Sequence, residues 1–182
     1  MTVTAKASAK AQPRAAERPA QGLPARETGP LTEAIELLFF AYRDFISDPD
    51  ELLAEYDFGR AHHRVIHFVG RHPGITVAEL LNILRITKQS LARVLKQLIE
   101  RGFIEQETGK QDRRQRLLCR TTAGLELEER LAAPQQARVA AALASAGPGA
   151  EAAWRAVLLA LVNEEDRPEV ERLTAARPAQ NN

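Results

Sequence analysis

The sequence predicts a mainly α (α+β) fold in which a winged helix-turn-helix domain lies between N-terminal and C-terminal helices. Two short amphipathic helices, separated by the three residues Arg85-Ile86-Thr87, predict the helix-turn-helix. A basic, glycine-containing hairpin directly after them predicts the wing. Apolar residues that recur every three or four positions in both flanking segments predict the outer helices.

Length and composition exclude several classes of protein. The 182 residues, of which 45% are hydrophobic and 5% aromatic, predict one domain with an aliphatic core. No apolar run reaches the roughly 18–20 residues that span a bilayer, and Lys6 and Lys10 precede no apolar signal segment. One cysteine cannot form an internal disulfide, and no zinc-finger spacing is present. We therefore expect a cytoplasmic protein that uses no membrane, no metal and no cofactor.

The distribution of charge is more informative than the net charge of +1. Residues 85–120 contain ten Lys or Arg and four Asp or Glu, a net charge of +6. The neighbouring segments 31–84 and 121–182 have net charges of −5 and −3. A basic island within an acidic remainder is typical of a face that binds nucleic-acid phosphates.

The N-terminal segment divides into a tail and a helix. Residues 1–29 are rich in Ala, Pro, Gln, Lys and Arg, which predicts disorder, either as a solvated tail or as a basic arm that adds phosphate affinity. A helix is predicted from Leu31, with an interruption at Ser47-Asp48-Pro49-Asp50. Its apolar positions are Ile35, Leu38, Phe39, Tyr42, Phe45 and Ile46. A stripe that wide indicates burial against more than the helix's own domain.

The helix-turn-helix has clear predicted boundaries. The preceding helix, 60–71, ends at His72-Pro73-Gly74. Thr76 and Glu79 form a capping-box pattern for the first helix of the pair, and Thr87 caps the second. The second helix covers 88–101, with Leu91, Val94, Leu95 and Leu98 inward and Lys88, Gln89, Ala92, Arg93 and Lys96 outward. Hydrogen-bonding groups followed by basic groups suit a helix that reads the major groove of DNA.

The hairpin after Gly102 is predicted from strands over 103–107 and 116–121. Its tip contains the cations Lys110, Arg113 and Arg114. Arginine side chains at such a tip can enter a narrow minor groove, where the potential is most negative. Asp112 lies among these cations, and we predict that it pairs with an arginine to hold the wing in shape.

The C-terminal segment is predicted to form helices with breaks at Pro and Gly. Thr122 is predicted to cap a helix over 123–145, which Pro134 bends or interrupts. Gly147-Pro148-Gly149 breaks the chain before a helix over 150–163, and a bend at Arg167-Pro168 precedes two further turns. The apolar stripe of the helix over 150–163 consists of Trp154, Val157, Leu158, Leu161 and Val162.

These elements together resemble the MarR family of transcriptional regulators. The matching stretches are VAELLNILRITKQSLARVLKQLIERGFIE in the helix pair and DRRQRLLCRTTAG in the wing. Asp112 and Arg114 fit the family's wing pattern, whereas Arg120-Thr121 departs from its usual Leu-Thr. The resemblance covers residues 31–173 and is only topological in the outer helices. It implies a sequence-specific regulator, usually a repressor, that binds double-stranded DNA as a homodimer on a pseudo-palindromic operator.

The resemblance also implies domain boundaries and site residues. Residues 30–56 and 122–176 are expected to form the dimerisation helices, 57–121 the winged domain, and 177–182 a frayed tail. The expected dimerisation residues are Ile35, Leu38, Phe39, Tyr42, Trp154, Leu158 and Leu161. The expected DNA-binding residues are Thr87, Lys88, Gln89, Ser90, Arg93, Lys110, Arg113 and Arg114. Gln89 suits adenine and Arg93 suits guanine or phosphate, while Ser90 either contacts phosphate or completes the helix cap.

Family members respond to phenolic ligands held between the dimerisation helices and the winged domain, or to oxidants through cysteine, so a small-molecule effector is expected. The candidate sensor residues are His62, His63 and His67, on the helix beside that pocket. Three interpretations stay open: a structural role in packing and in hydrogen bonding across the dimer, a metal-, haem- or pH-linked sensor, or an anionic-ligand site with Arg64. Cys119 is predicted to be a half-buried residue of the second wing strand, with intermolecular redox chemistry as the alternative.

Two other functions are weighed against DNA binding. A winged helix that contacts only proteins would present exposed apolar side chains on the reading helix, and the basic island argues against it. An enzyme would need a phosphate-binding loop, a nucleophile–base pair or paired carboxylates, and the sequence has none in a recognisable pattern, so no catalytic residue is predicted.

Overall fold

The chain folds into seven α-helices, one 3₁₀ turn and three short strands within the residues described by a computed structural model, 29–109 and 115–175. In order they are α1 (Pro30–Ala54), α2 (Arg60–Arg71), β1 (Ile75–Thr76), α3 (Val77–Leu84), α4 (Lys88–Glu100), β2 (Ile104–Thr108), β3 (Arg116–Arg120), α5 (Thr122–Ala146), α6 (Ala150–Leu161), the 3₁₀ turn (Glu164–Asp166) and α7 (Arg167–Thr174). None of these helices is long and apolar enough to cross a membrane. The predicted disordered tail, the wing tip and the frayed end lie outside the described residues, apart from Gly29.

The chain divides between Leu37 and Leu38 into two units. In the first unit, residues 30–37 are helical and all of them are exposed. The second unit contains the rest of α1 and every other described element.

The three strands form one antiparallel sheet in the order β1-β3-β2. Ile75 lies opposite Leu118, and Ile104 lies opposite Arg120. The Gly109 N–H donates to the carbonyl of Gln115 at 3.0 Å, so pairing continues to the base of the wing tip. A mainly helical chain with a small hairpin sheet confirms the predicted fold class.

The core is aliphatic and lies between α2, α3, α4, α5 and the sheet. The four inward residues predicted for α4 are all buried. The most completely buried side chains are Leu53, Val65, Ile66, Val69, Leu80, Leu91, Leu98, Leu118 and Leu131. Because these side chains come from both helices of the pair and from the wing, the core fixes the orientation of α4 relative to the sheet.

Helix α1 continues through Pro49, so the predicted interruption at Ser47–Asp50 is wrong. Proline has no N–H, and the carbonyl of Phe45, one turn earlier, therefore loses its helical donor. The side-chain amide of Gln135 donates to that oxygen at 3.2 Å. Arg138 also pairs with Asp48 at 2.9 Å. Contacts from α5 thus keep α1 helical where the local sequence predicts a break.

Helix α5 is capped by Thr121 rather than by the predicted Thr122. The Thr121 hydroxyl accepts the N–H of Gly124 at 3.0 Å and donates to the carbonyl of Gly102 at 2.6 Å. The second bond joins the cap to the start of the wing, which is a tertiary contact that local sequence does not specify. Pro134 does not interrupt the helix, which runs unbroken to Ala146.

The chain after α6 turns earlier than predicted, because α6 ends at Leu161. The guanidinium of Arg167 donates to the carbonyls of Ala160 and Val162 at 3.0 and 3.1 Å and so satisfies the end of the helix. Pro168 lies in the first turn of α7, where its missing N–H costs no helical bond. Arg167-Pro168 therefore begins a helix instead of marking a bend before one.

Arg120, where the sequence departs from the family's wing pattern, forms a largely buried ion pair with Glu128 of α5. The two side chains are 23% and 12% exposed. Gly70 of α2 makes room for the pair, because a Cβ at that position would overlap both side chains. The pair joins the end of the wing to α5.

Gly124→Ala is expected to destabilise the protein by about 1–3 kcal/mol. The added Cβ would overlap the backbone carbonyl oxygen of Phe103, which has no rotamer by which to move away. Gly59→Ala is the matched control, because its backbone is extended and no atom lies within 4 Å of the added Cβ. Urea unfolding of both variants measures the difference. Equal losses of stability would contradict the close approach of α5 to the wing.

Candidate nucleic-acid interface

Helix α4 begins at a complete N-terminal cap. The Thr87 hydroxyl accepts the N–H of Ser90 at 3.1 Å and donates to the Ser90 hydroxyl at 2.8 Å. Ser90 therefore takes part in the cap, which is one of its two predicted roles. Both residues are exposed, so the positive end of the helix dipole faces solvent, where it favours a phosphate.

The outward face of α4 is polar and basic, as the sequence predicts. The exposed residues are Thr87, Lys88, Gln89, Ser90, Ala92, Arg93 and Lys96. Among the described residues, Lys88 and Arg93 have no ion-pair partner, and Lys96 lies 3.7 Å from the exposed Glu100. These cations are consequently available to an external anion.

A buried histidine fixes the opposite flank of α4. His62 is 8% exposed and stacks on Phe58 with ring centroids 4.4 Å apart. Its Nδ1 accepts the N–H of Gly59 at 3.1 Å, which leaves Nε2 as the donor to the side-chain oxygen of Gln97 at 2.8 Å. His62, predicted as a sensor candidate, thus joins α2 to α4 in the core of the domain. The one local sign of this structural role is the position of His62 three residues after the N-cap residue Gly59, where its ring can accept the Gly59 N–H.

The wing is a two-stranded hairpin whose predicted DNA-binding tip lies outside the described residues. Those tip residues are Lys110, Asp112, Arg113 and Arg114. Arg116, at the base of the tip, is exposed and donates to the Thr108 hydroxyl across the hairpin at 3.1 Å. Arg116 is not among the predicted DNA-binding residues, although its place at the start of the second strand, beside the cationic tip, is a sign in the sequence that could have suggested it.

The three clustered histidines have different surroundings in the structure. His62 faces the core, while His67 lies 3.5 Å from Glu128 and the half-buried His63 has no such partner among the described residues. No group of three or more His, Cys, Asp or Glu side chains in the described ranges could hold a metal ion. Burial, with the positive charges of Arg71 and Arg120, lowers the pKa of His67.

The stability of the protein is expected to fall as the pH falls from 7.5 to 5.5. Burial lowers the pKa of His63, and positive charge on His67 and Arg64 acts in the same direction, against Asp50. In the unfolded chain the His63 ring binds a proton near pH 6.5, whereas in the folded chain it binds one only at lower pH. Acid therefore favours unfolding. Urea unfolding across this pH range should show a smaller loss for His63→Gln than for the wild type. An identical pH dependence in the two proteins would contradict the assignment to His63.

Cys119 is half-buried on β3, opposite Glu105 of β2. This placement agrees with the prediction of an ordinary strand residue.

Large apolar side chains remain exposed on the outer helices. On α1 and α6 these include Ile35, Leu38, Phe39, Tyr42, Trp154, Val157, Leu158 and Leu161. Phe39 and Leu161 are 68% and 63% exposed. Near α6, an open groove is lined by Val139 and Leu143 of α5 and by Val170 of α7. All seven predicted dimerisation residues therefore lie at the surface of the single chain.

Comparison with known proteins gives consistent results. A sequence model described as MarR family matches residues 56–115, which include α2, α3, α4 and the first wing strand, β2. The chain is 47% identical over 146 residues to the HTH-type transcriptional regulator PetP of Rhodobacter capsulatus. That alignment covers 80% of this chain and 88% of PetP.

Solved structures share the fold. FabT of Streptococcus pneumoniae, crystallised in complex with DNA, has a TM-score of 0.64 and 20% identity over 79% of this chain and 99% of FabT. A MarR-family regulator from Silicibacter pomeroyi has a TM-score of 0.61 and 17% identity, over 84% of this chain and 100% of that chain.

Proposed function

The chain belongs to the MarR family of transcriptional regulators and binds DNA, and from that premise we propose that it acts as a homodimeric repressor on a pseudo-palindromic operator. Proteins of this family are not enzymes. The observation that carries the proposal is the exposed face of α4, which presents Gln89 and Arg93 beside a capped, solvent-facing helix end.

DNA is proposed to bind along α4 and the wing. Gln89 can form two hydrogen bonds with adenine, with its amide N–H donating to N7 and its amide oxygen accepting from the N6 amino group, and Arg93 can bond guanine or a phosphate. Lys88 and the cap residues Thr87 and Ser90 face the phosphates at the helix end. The wing residues Lys110, Arg113 and Arg114 are proposed to contact the minor groove, with Asp112 shaping the loop.

A second copy of the chain is proposed to cover the apolar surfaces of α1 and α6. Exposed side chains such as Phe39 and Trp154 are costly in water, and contiguous apolar patches of this kind mark interfaces between proteins. A two-fold dimer would bring two α4 helices onto one face of a duplex about one helical turn apart. The dimerisation boundaries 30–56 and 122–176 follow from this arrangement.

Repression and response to a small molecule are proposed from the family. Repression requires only that the dimer occupy its operator. An effector that alters the distance between the two α4 helices would release the dimer from the operator. A regulator of this kind works beside the chromosome, so we place it in the cytoplasm. A role limited to protein contacts is less well supported, because the exposed face of α4 is basic and polar.

Salt-dependent binding tests this proposal. A duplex selected by the protein from a random pool should bind with an affinity that falls steeply between about 50 and 200 mM salt. Arg114→Ala should weaken binding to the selected duplex and to an unrelated duplex alike, and should reduce the slope of log affinity against log salt by about 2, because a symmetric dimer loses the contact twice. Binding by the wild type that does not depend on salt would exclude the proposed phosphate contacts.

A further inference from the structure

The C-terminal segment 164–174 pairs with the helix-turn-helix of the same chain at the C-terminal end of α3 and lies beside a cleft at its N-terminal end. At the C-terminal end, the carboxylate of Asp166 pairs with the guanidinium of Arg85. At the N-terminal end, bonds from Thr76 lower the pKa of Glu79, and the positive charge of Arg172 on α7 adds to the effect. A small cleft between these points is lined by both α3 and α7. At each end of α3, a charged side chain therefore lies near a side chain of opposite charge on the segment 164–174.

Asp166 is held firmly at the end of α6. Its carboxylate lies 3.5 Å from the side-chain amide of Asn163, and its side chain is only 24% exposed. The next residue, Arg167, donates to two carbonyls at the end of α6. The position of this carboxylate thus follows the position of α6, whose outer face carries Trp154 and Leu161.

Arg85 occupies the turn that leads into α4. Its backbone is left-handed, with φ 49° and ψ 41°, a conformation that residues other than glycine seldom adopt. Arg85 is the C-cap of α3 and lies two residues before Thr87, the cap of α4. A contact that holds the Arg85 side chain from outside therefore acts on the turn that sets the direction of α4.

We propose that the Arg85–Asp166 ion pair is a clasp that positions α4 relative to α6, and that Asp166 is consequently a positioning residue for operator binding. The inference rests on the proposal that α4 reads DNA and that α6 joins the two subunits. Arg85 is 68% exposed, so the pair is screened and its loss changes an equilibrium by about two- to fivefold. A link of that strength shifts the orientation of α4 without determining the fold.

The test compares Asp166→Asn with Glu165→Gln, which removes the same charge from a neighbouring exposed residue. Removing an acidic charge near DNA should by itself strengthen binding to any duplex. The clasp predicts the opposite for Asp166→Asn: about two- to fivefold weaker binding to the selected operator, with an unrelated duplex unaffected. Arg85→Asp should weaken operator binding further, and combining it with Asp166→Arg should restore part of the loss.

Hydrogen exchange of the free protein gives a second measurement that needs no DNA. The amides of residues 85–90 should exchange faster in Asp166→Asn than in the wild type. In Glu165→Gln their exchange rates should equal those of the wild type. If Asp166→Asn behaved as Glu165→Gln in both measurements, the clasp would be excluded. If Arg85→Gln weakened both duplexes equally while Asp166→Asn strengthened them, Arg85 would be a phosphate contact instead. A wild type that selected no operator would refute the proposed function, and the exchange rates would still decide on the clasp.

Discussion

Phe39→Glu is expected to convert the proposed dimer to a monomer and to weaken operator binding by at least about a hundredfold. Phe39 is 68% exposed in the single chain, so a charge there should not disturb the core. In a dimer, the same charge would be buried against apolar side chains without a partner. Two linked reading helices bind one operator about 10²–10⁴ times more tightly than separate ones, and the variant would lose that gain.

Sedimentation equilibrium and operator titration on the same samples measure both effects. Ala123→Glu is the control, because it adds an equal charge at an exposed position in the first turn of α5. A monomeric Phe39→Glu protein that kept the affinity of the wild type would show that pairing does not contribute to binding.

Gln89→Ala is expected to weaken operator binding by about tenfold or more and to leave binding to unrelated DNA nearly unchanged. A bidentate contact to one base contributes about 1–3 kcal/mol of discrimination, and a symmetric dimer makes it twice. Gln89 is exposed in the first turn of α4, beside the Thr87–Ser90 cap that holds the helix end in place. The expected loss is therefore one of sequence preference rather than of electrostatic attraction.

Gln136→Ala, at an exposed glutamine of α5, controls for the loss of a surface amide. Fluorescence anisotropy with the selected duplex and with a shuffled duplex separates the two kinds of binding. An equal loss of affinity for both duplexes in Gln89→Ala would assign this side chain to the backbone of DNA instead of to a base.

Local patterns predicted the helix-turn-helix closely. The capping box of Thr76 and Glu79, the cap at Thr87 and the buried face of α4 depend on residues within one or two turns of each other. The glycine at 102 has the left-handed backbone expected after a helix end. Boundaries of this kind are determined by neighbouring residues, so sequence alone specifies them.

Two of the wrong predictions share a physical cause, because a partner distant in the chain changes the local preference. Pro49 stays helical since Gln135 supplies the missing donor. Thr121 is chosen over Thr122 as a cap because its hydroxyl also reaches Gly102. For His62, one predicted interpretation is packing and hydrogen bonding, but its particular core position and its bond to Gln97 depend on how α2 packs on α4.

Two copies of α4 are proposed to read one operator together. Hydroxyl-radical footprinting of the wild type on a DNA fragment selected from its genome tests this proposal most directly. Two protected segments are expected on one face of the duplex, related by a two-fold axis and centred about 10–10.5 base pairs apart. One protected segment without a symmetric partner would contradict the paired arrangement.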